Sequence, residues 1–245
     1  MSTPSAETLT PDALVRLVAG HCLRYPDSDL YGALPALRAA LAGAPAEPAR
    51  LIGAFLDHAE ATEPLRMCAE YTSTFDTRNR RCLYLTWWTD GDTRRRGLSL
   101  VRIKRIYRAH GLEFTGEELP DFLPVALEFA ARHPEAGTEL LQEHRAGLEL
   151  LRLALSAADT PYTRLLEAVC ATLPGPSPET RAEAKALARN GPPQELVGAG
   201  TPLEPFGPGG TPAGGRASTG LPSDAPVDLP WPVSATPAAL ERTSA

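Results

Sequence analysis

The chain has 245 residues, 22% of them charged and 43% hydrophobic, with a formal net charge of −6 and a pI near 5.4. That is long enough for one sizeable core with an appendage, and too acidic overall for a general nucleic-acid coat. Four scattered cysteines (Cys22, Cys68, Cys82, Cys170) form no C-x-x-C pair, which argues against a disulfide scaffold or a zinc module and for a reducing, cytoplasmic setting. The N-terminus has no charged and apolar regions of a signal peptide, and no run of about 18 apolar residues exists to span a bilayer.

In chain order, a capping residue followed by proline marks helix starts at Thr10-Pro11, Glu47-Pro48, Glu63-Pro64, Thr160-Pro161 and Ser177-Pro178. The first helix carries Leu14, Leu17, Val18 and Cys22. The second carries the stripe Leu51, Ile52, Phe55, Leu56 and Ala59, and the third carries Met67, Cys68, Tyr71 and Phe75. Leu83–Trp88 is rich in strand formers, but no second strand is evident to pair with it, so helix or irregular structure is preferred. Asp92 is expected to cap a long helix ending at His110-Gly111. Leu100, Ile103, Ile106 and Tyr107 lie on one side of that helix, and Leu98 and Val101 on another, which predicts a central helix covered from two directions. Leu141, His144, Leu148, Leu151 and Leu155, spaced by threes and fours, predict one continuous helix packed along a narrow seam. Leu165, Leu166, Val169 and Cys170 face inward on the next, and the last helix stops at Asn190-Gly191.

The fold class is therefore all-α, a single multi-helix bundle over residues 1–190. Residues 191–245 hold 11 of the 25 prolines and 9 of the 20 glycines, with seven charges and no apolar period. That composition cannot offset its own ordering entropy and reads as a disordered C-terminal tail. Trp231 within it is either a docking residue or a lone aromatic.

Enzymatic signatures are missing from the chain. No histidine pair or Cys/His cluster has ligand spacing, no phosphate-binding glycine loop occurs, and no nucleophile elbow is present. No catalytic and no metal residues are assigned. His21 and His144 fall on apolar stripes and read as core or boundary residues.

Two surfaces remain. Residues 78–108 carry ten Lys/Arg against Asp90 and Asp92, interleaved with Tyr84, Trp87, Trp88 and Tyr107. Arg94, Arg95 and Arg96 with these aromatics could make a nucleotide or nucleic-acid surface, or simply a solvated face pairing with surplus carboxylates. The second surface is Glu70–Asp76 together with Glu117–Asp121. It joins Tyr71 and Phe75, one turn apart and flanked by carboxylates, to an acidic loop whose Asp121 can cap the helix that follows. A groove floored by aromatics and rimmed by acids suits an amphipathic basic helix; core aromatics and an N-cap are the bland alternative.

The strings Tyr71–Asp76, Arg81–Thr86, Gly91–Gly97, Glu118–Asp121 and Leu127–Ala130, with the earlier Leu23–Asp27, occur in an order that closely resembles the NarJ family across residues 10–170. That family comprises assembly chaperones of respiratory nitrate reductase, related to the TorD and DmsD redox-enzyme maturation chaperones. The resemblance implies an all-helical, cytoplasmic, non-catalytic protein of the TorD-like kind. It implies binding of the N-terminal segment of the apo catalytic (alpha) subunit until bis-molybdopterin guanine dinucleotide is inserted, before the subunit docks at the membrane. No cofactor would be held stably, and neither nucleic acid nor stable membrane insertion is implied. The molybdenum cofactor biosynthesis machinery would be a further partner. An aromatic-x-x-Leu-Phe motif maps to Tyr71, Thr74 and Phe75, with Thr74 in the leucine position. A Glu-x-Pro-Asp-His motif maps to Glu118, Pro120, Asp121 and Phe122, with Phe122 replacing the histidine. Client-peptide binding is thus expected at Tyr71, Phe75, Glu118, Pro120, Asp121 and Phe122, and truncating Phe75 is expected to weaken it in a folded protein.

Overall fold

The computed structural model describes residues 9–77, 81–113 and 118–190, which lie in one compact unit. The expected tail 191–245 with Trp231 lies outside them, as do Arg78, Arg80 and Glu117. The described residues are helical, as expected: α1 Pro11–Cys22, α2 Ser28–Ala40, α3 Ala46–Ala61, α4 Pro64–Tyr71, α5 Leu85–Asp90, α6 Arg94–Ala109, α7 Leu123–Arg132, α8 Pro134–Glu143, α9 Arg145–Ser156, α10 Thr163–Ala171 and α11 Arg181–Asn190.

Local chemistry explains several helix starts. Thr10 Oγ1 accepts from the Ala13 amide at 3.3 Å, Asp27 accepts from Asp29 and Leu30, and Glu63 accepts from Arg66, each satisfying an orphan first-turn donor. Other starts differ from expectation. Helix α3 begins at Ala46, ahead of Glu47-Pro48, and Glu47 instead pairs with Arg50. Thr160-Pro161 forms a turn, and α10 begins at Thr163. Helix α11 begins at Arg181, where Thr180 and Glu183 cap each other's backbone amides. Ser177 is drawn away from capping, because its hydroxyl donates to the buried Glu149 carboxylate at 2.7 Å. Asp92 does not cap α6; Thr93 occupies the N-cap position, and no side chain closes that end.

The expected seam helix is two helices, broken at His144, whose backbone (φ −97°, ψ 11°) leaves the helical region. Leu141, His144, Leu148, Leu151 and Leu155 are nevertheless all buried. Burial pulls the His144 pKa below the ordinary histidine range, and its Nδ1 finds no partner among the described residues. The break is braced from α9. Glu149, fully buried, meets Arg145 and Arg152, which donate onward to the carbonyls of 174–176 and of Pro178.

The core runs from Val15, Val18, Ala19 and Cys22 of α1 through Ile52, Phe55 and Leu56 of α3 to Leu165, Leu166 and Val169 of α10. Leu14 and Leu17 are only half-buried. Arg16, 3% exposed, binds Thr138, the Ala130 carbonyl and Thr172, tying α1 to three neighbours. Helices α7 and α8 cross so closely that a Cβ on Gly137 would lie 2.1 Å from Ala130 Cα. We expect Gly137→Ala to lower stability by about 2–3 kcal/mol through overpacking, read as a lower chemical-denaturation midpoint at unchanged slope.

Helix α6 is peripheral, not central. Ile103 and Tyr107 are buried, but Leu98 is 74% and Val101 48% exposed. Both its faces carry apolar residues, and only one is covered.

Candidate functional site

The first half of the site follows from how α4 ends. Its last residue, Tyr71, runs into a π-helical turn at Thr72–Asp76, a wide turn often found at functional positions. The turn places Tyr71 and Phe75 on one inner face, with ring centroids 4.9 Å apart and both packed on Tyr162. They are 6% and 7% exposed, and the Tyr71 hydroxyl donates to the Leu23 carbonyl at 3.2 Å. The expected aromatic floor therefore belongs to the core. What lies open above it is Tyr25, 49% exposed and edge-on to Tyr71 at 5.4 Å.

The second half is built by a single antiparallel bridge between Tyr84 and Phe122, the pairing that the strand-like Leu83–Trp88 stretch found. Leu123 donates to the Leu83 carbonyl, and Leu85 donates to the Asp121 carbonyl. The Tyr84 and Phe122 rings lie 5.5 Å apart, and the Tyr84 hydroxyl donates to exposed Glu118 at 3.1 Å. Partial burial and then the Glu118 charge push the Tyr84 pKa up to about 12. Burial raises Tyr71 further, and the charges of Asp76 and Glu118 add to it.

Asp121 does not cap α7, whose N-cap position is Phe122. It is fully buried and closes α5 from a distance, accepting from the Thr86 amide at 3.1 Å and from the Thr86 hydroxyl. Arg96 approaches the same carboxylate at 3.9 Å, donates to Thr86 Oγ1, and lies over the rings of Tyr84 and Trp87 at 5.7 and 5.9 Å. Pro120 is buried, and its carbonyl accepts from the Tyr107 hydroxyl at 2.8 Å.

The structure thus brings Tyr84, Glu118 and Phe122 together. It turns Phe75, Pro120 and Asp121 inward. The Arg-rich surface is divided: Arg96 serves Asp121, Trp88 donates to the Cys82 carbonyl and packs toward Gly147, and Arg94 and Arg95 remain exposed. Sequence reasoning did not assign Tyr25 to the candidate site. Tyr25 lay within Leu23–Asp27, a string already singled out, and its exposure was the missing information.

Across the π turn, a polar cavity of about 640 Å³ is lined by Glu70, Ser73, Thr74, Arg81, Asp159 and Thr160, among others. Asp159 holds a left-handed backbone (φ 51°), and His58 pairs with Glu70 at 2.8 Å. Among the described residues no group of three or more His, Cys, Asp or Glu side chains could hold a metal ion, and no helix is long and apolar enough to cross a membrane. The four cysteines are free.

Residues 34–167 match the family model described as "Nitrate reductase delta subunit". "Nitrate reductase-like protein NarX" of Mycobacterium tuberculosis is 41% identical over 151 residues, 61% of this chain and 23% of that protein. "Probable nitrate reductase molybdenum cofactor assembly chaperone NarJ" of Bacillus subtilis is 30% identical over 167 residues, 67% of this chain and 91% of its own. "Nitrate reductase molybdenum cofactor assembly chaperone NarJ" of Escherichia coli is 31% identical over 155 residues, 62% and 66% of the two chains. The chain thus spans about a quarter of the NarX length and nearly all of the B. subtilis protein.

Proposed function

Because the chain belongs to the nitrate reductase delta subunit family, we propose that it is an assembly chaperone of nitrate reductase and not an enzyme. In this reading it binds the N-terminal segment of the apo catalytic subunit in the cytoplasm. It holds that segment until bis-molybdopterin guanine dinucleotide, delivered by the molybdenum cofactor biosynthesis machinery, has been inserted. It then lets the subunit dock at the membrane. The cofactor is cargo for the client and has no resident site on the chaperone.

What supports the reading is the pair of aromatic edges, Tyr25 over Tyr71 and Tyr84 beside Phe122 with Glu118 on its hydroxyl, in a chain whose relatives are named as such chaperones. An amphipathic basic helix would lay its apolar side on such rings and a cation toward Glu118. Aromatic rings give a large contact area for little lost rotamer freedom. Exposed rim charges steer association and make it sensitive to salt. Release is part of the task, so weak to moderate binding serves it.

The test is calorimetric titration of the full chain with a synthetic peptide of its client's N-terminal segment. Tyr25→Ala should weaken binding about tenfold, the loss of one contacting ring, with the melting temperature nearly unchanged because the ring is half exposed. Glu118→Gln should flatten the salt dependence. Unchanged affinity in both variants would remove this surface from the function.

A further inference from the structure

The outer face of α6 is the feature that neither the core nor the site above uses. Arg94, Leu98, Val101, Arg105 and Arg108 recur at i, i+4, i+7, i+11 and i+14, so they share one face, opposite buried Ile103 and Tyr107. Leu98 and Val101 are among the most exposed large apolar side chains described. The helix holds seven Lys/Arg and no Asp or Glu. Arg102 is satisfied by Glu143, and Arg96 by Asp121 and the rings. Arg94, Arg95, Arg105 and Arg108 are exposed and have no ion-pair partner among the described residues. Three arginines sit in the first turn, where the helix dipole already presents positive charge, so the face concentrates a field that nothing in the fold requires.

We propose that this face docks the protein reversibly on an anionic lipid surface. The charge pattern demands an anionic partner, and the apolar tips at its centre select among anions. A phosphate-rich nucleic acid would gain nothing from Leu98 and Val101, and one face of each of the Tyr84 and Trp87 rings already carries Arg96. A symmetric pairing of two copies would set arginine against arginine. A convex helix face with two aliphatic tips framed by guanidinium groups fits the headgroup layer, where tips enter and cations meet phosphates. Docking is peripheral, since no described helix can cross the bilayer. The inference goes beyond the chaperone reading and stands or falls separately from it.

The test is co-sedimentation of the full chain with vesicles of phosphatidylcholine alone, and with about one third phosphatidylglycerol. Binding is expected to the anionic vesicles only, and to be released by about 1 M salt, where the Debye length is about 3 Å. Combined Arg94→Gln, Arg95→Gln, Arg105→Gln and Arg108→Gln should reduce partitioning at least about 100-fold, each charge near such a surface being worth about fivefold. Leu98→Ser with Val101→Ser should reduce it several-fold. All six residues are exposed, and a melting curve checks that each variant is folded. A wild-type chain that stays in the supernatant with anionic vesicles, or equal sedimentation of wild type and the arginine variant, would overturn the proposal. So would tighter retention on a short RNA than on the vesicles.

Discussion

Phe75→Ala is expected to lower stability by about 3–5 kcal/mol and the melting temperature by about 10 °C. The ring is 7% exposed and packs on Tyr71 and Tyr162, each at a centroid distance of 4.9 Å, while Tyr162 also packs on Phe55. Its removal opens a cavity between the π turn and the α3–α10 contact. The ring therefore supports the fold, so the expected weaker peptide binding of this variant comes with lower stability. A lost peptide affinity in Phe75→Ala is then read against its lower stability. Phe75→Leu keeps most of the volume and should cost less than half as much. Thermal and chemical denaturation of the two variants side by side checks this. Equal stability of Phe75→Ala and wild type would mean that the ring is not part of the core.

Asp121→Ala is the second large effect. The carboxylate has no exposed surface, closes the first turn of α5 through Thr86, and faces the Arg96 guanidinium at 3.9 Å. Removing it strands the Thr86 amide and leaves a partly buried cation without its counter-charge. A loss of about 3–5 kcal/mol is expected, the usual consequence of breaking one side of a buried charged pair. The effect should extend to the site, because Arg96 lies over Tyr84 and Trp87, and the Asp121 carbonyl receives the Leu85 amide. Asp121→Asn retains an acceptor for Thr86 and should lose less. Its amide nitrogen adds a donor near Arg96, so it should still fall short of wild type. A denaturation midpoint of Asp121→Ala equal to that of wild type would show that the network is not structural.

Helix class and many inward positions were legible because they depend on local spacing and composition. Thr10 and Glu63 cap where the sequence places them, since an N-cap bond spans only three residues. The misreadings fall where a distant partner wins. Asp121 looks like an N-cap for α7, yet its acceptor is claimed by Thr86, 35 positions away. Ser177 has the same history with Glu149. The break at His144 leaves the spacing of threes and fours undisturbed, so periodicity passes straight through it. No local signal marks it, and the contacts that brace it come from the Arg145–Glu149–Arg152 network and the 174–178 segment. At α6 the pattern showed two apolar faces correctly, but apolar character does not say which face is covered. The site was half legible. Its motifs pointed to the segments that carry the candidate site, while exposed Tyr25 emerged only when burial separated the surface from its support.

The proposed role of this chain is to let a nitrate reductase acquire its molybdenum cofactor. The most direct measurement is the molybdenum content, per catalytic subunit, of nitrate reductase purified from its own host with and without this chain. The expected result is a catalytic subunit that accumulates nearly free of molybdenum when the chain is absent, and is restored when it is supplied again. A fully loaded catalytic subunit from cells lacking the chain would contradict it.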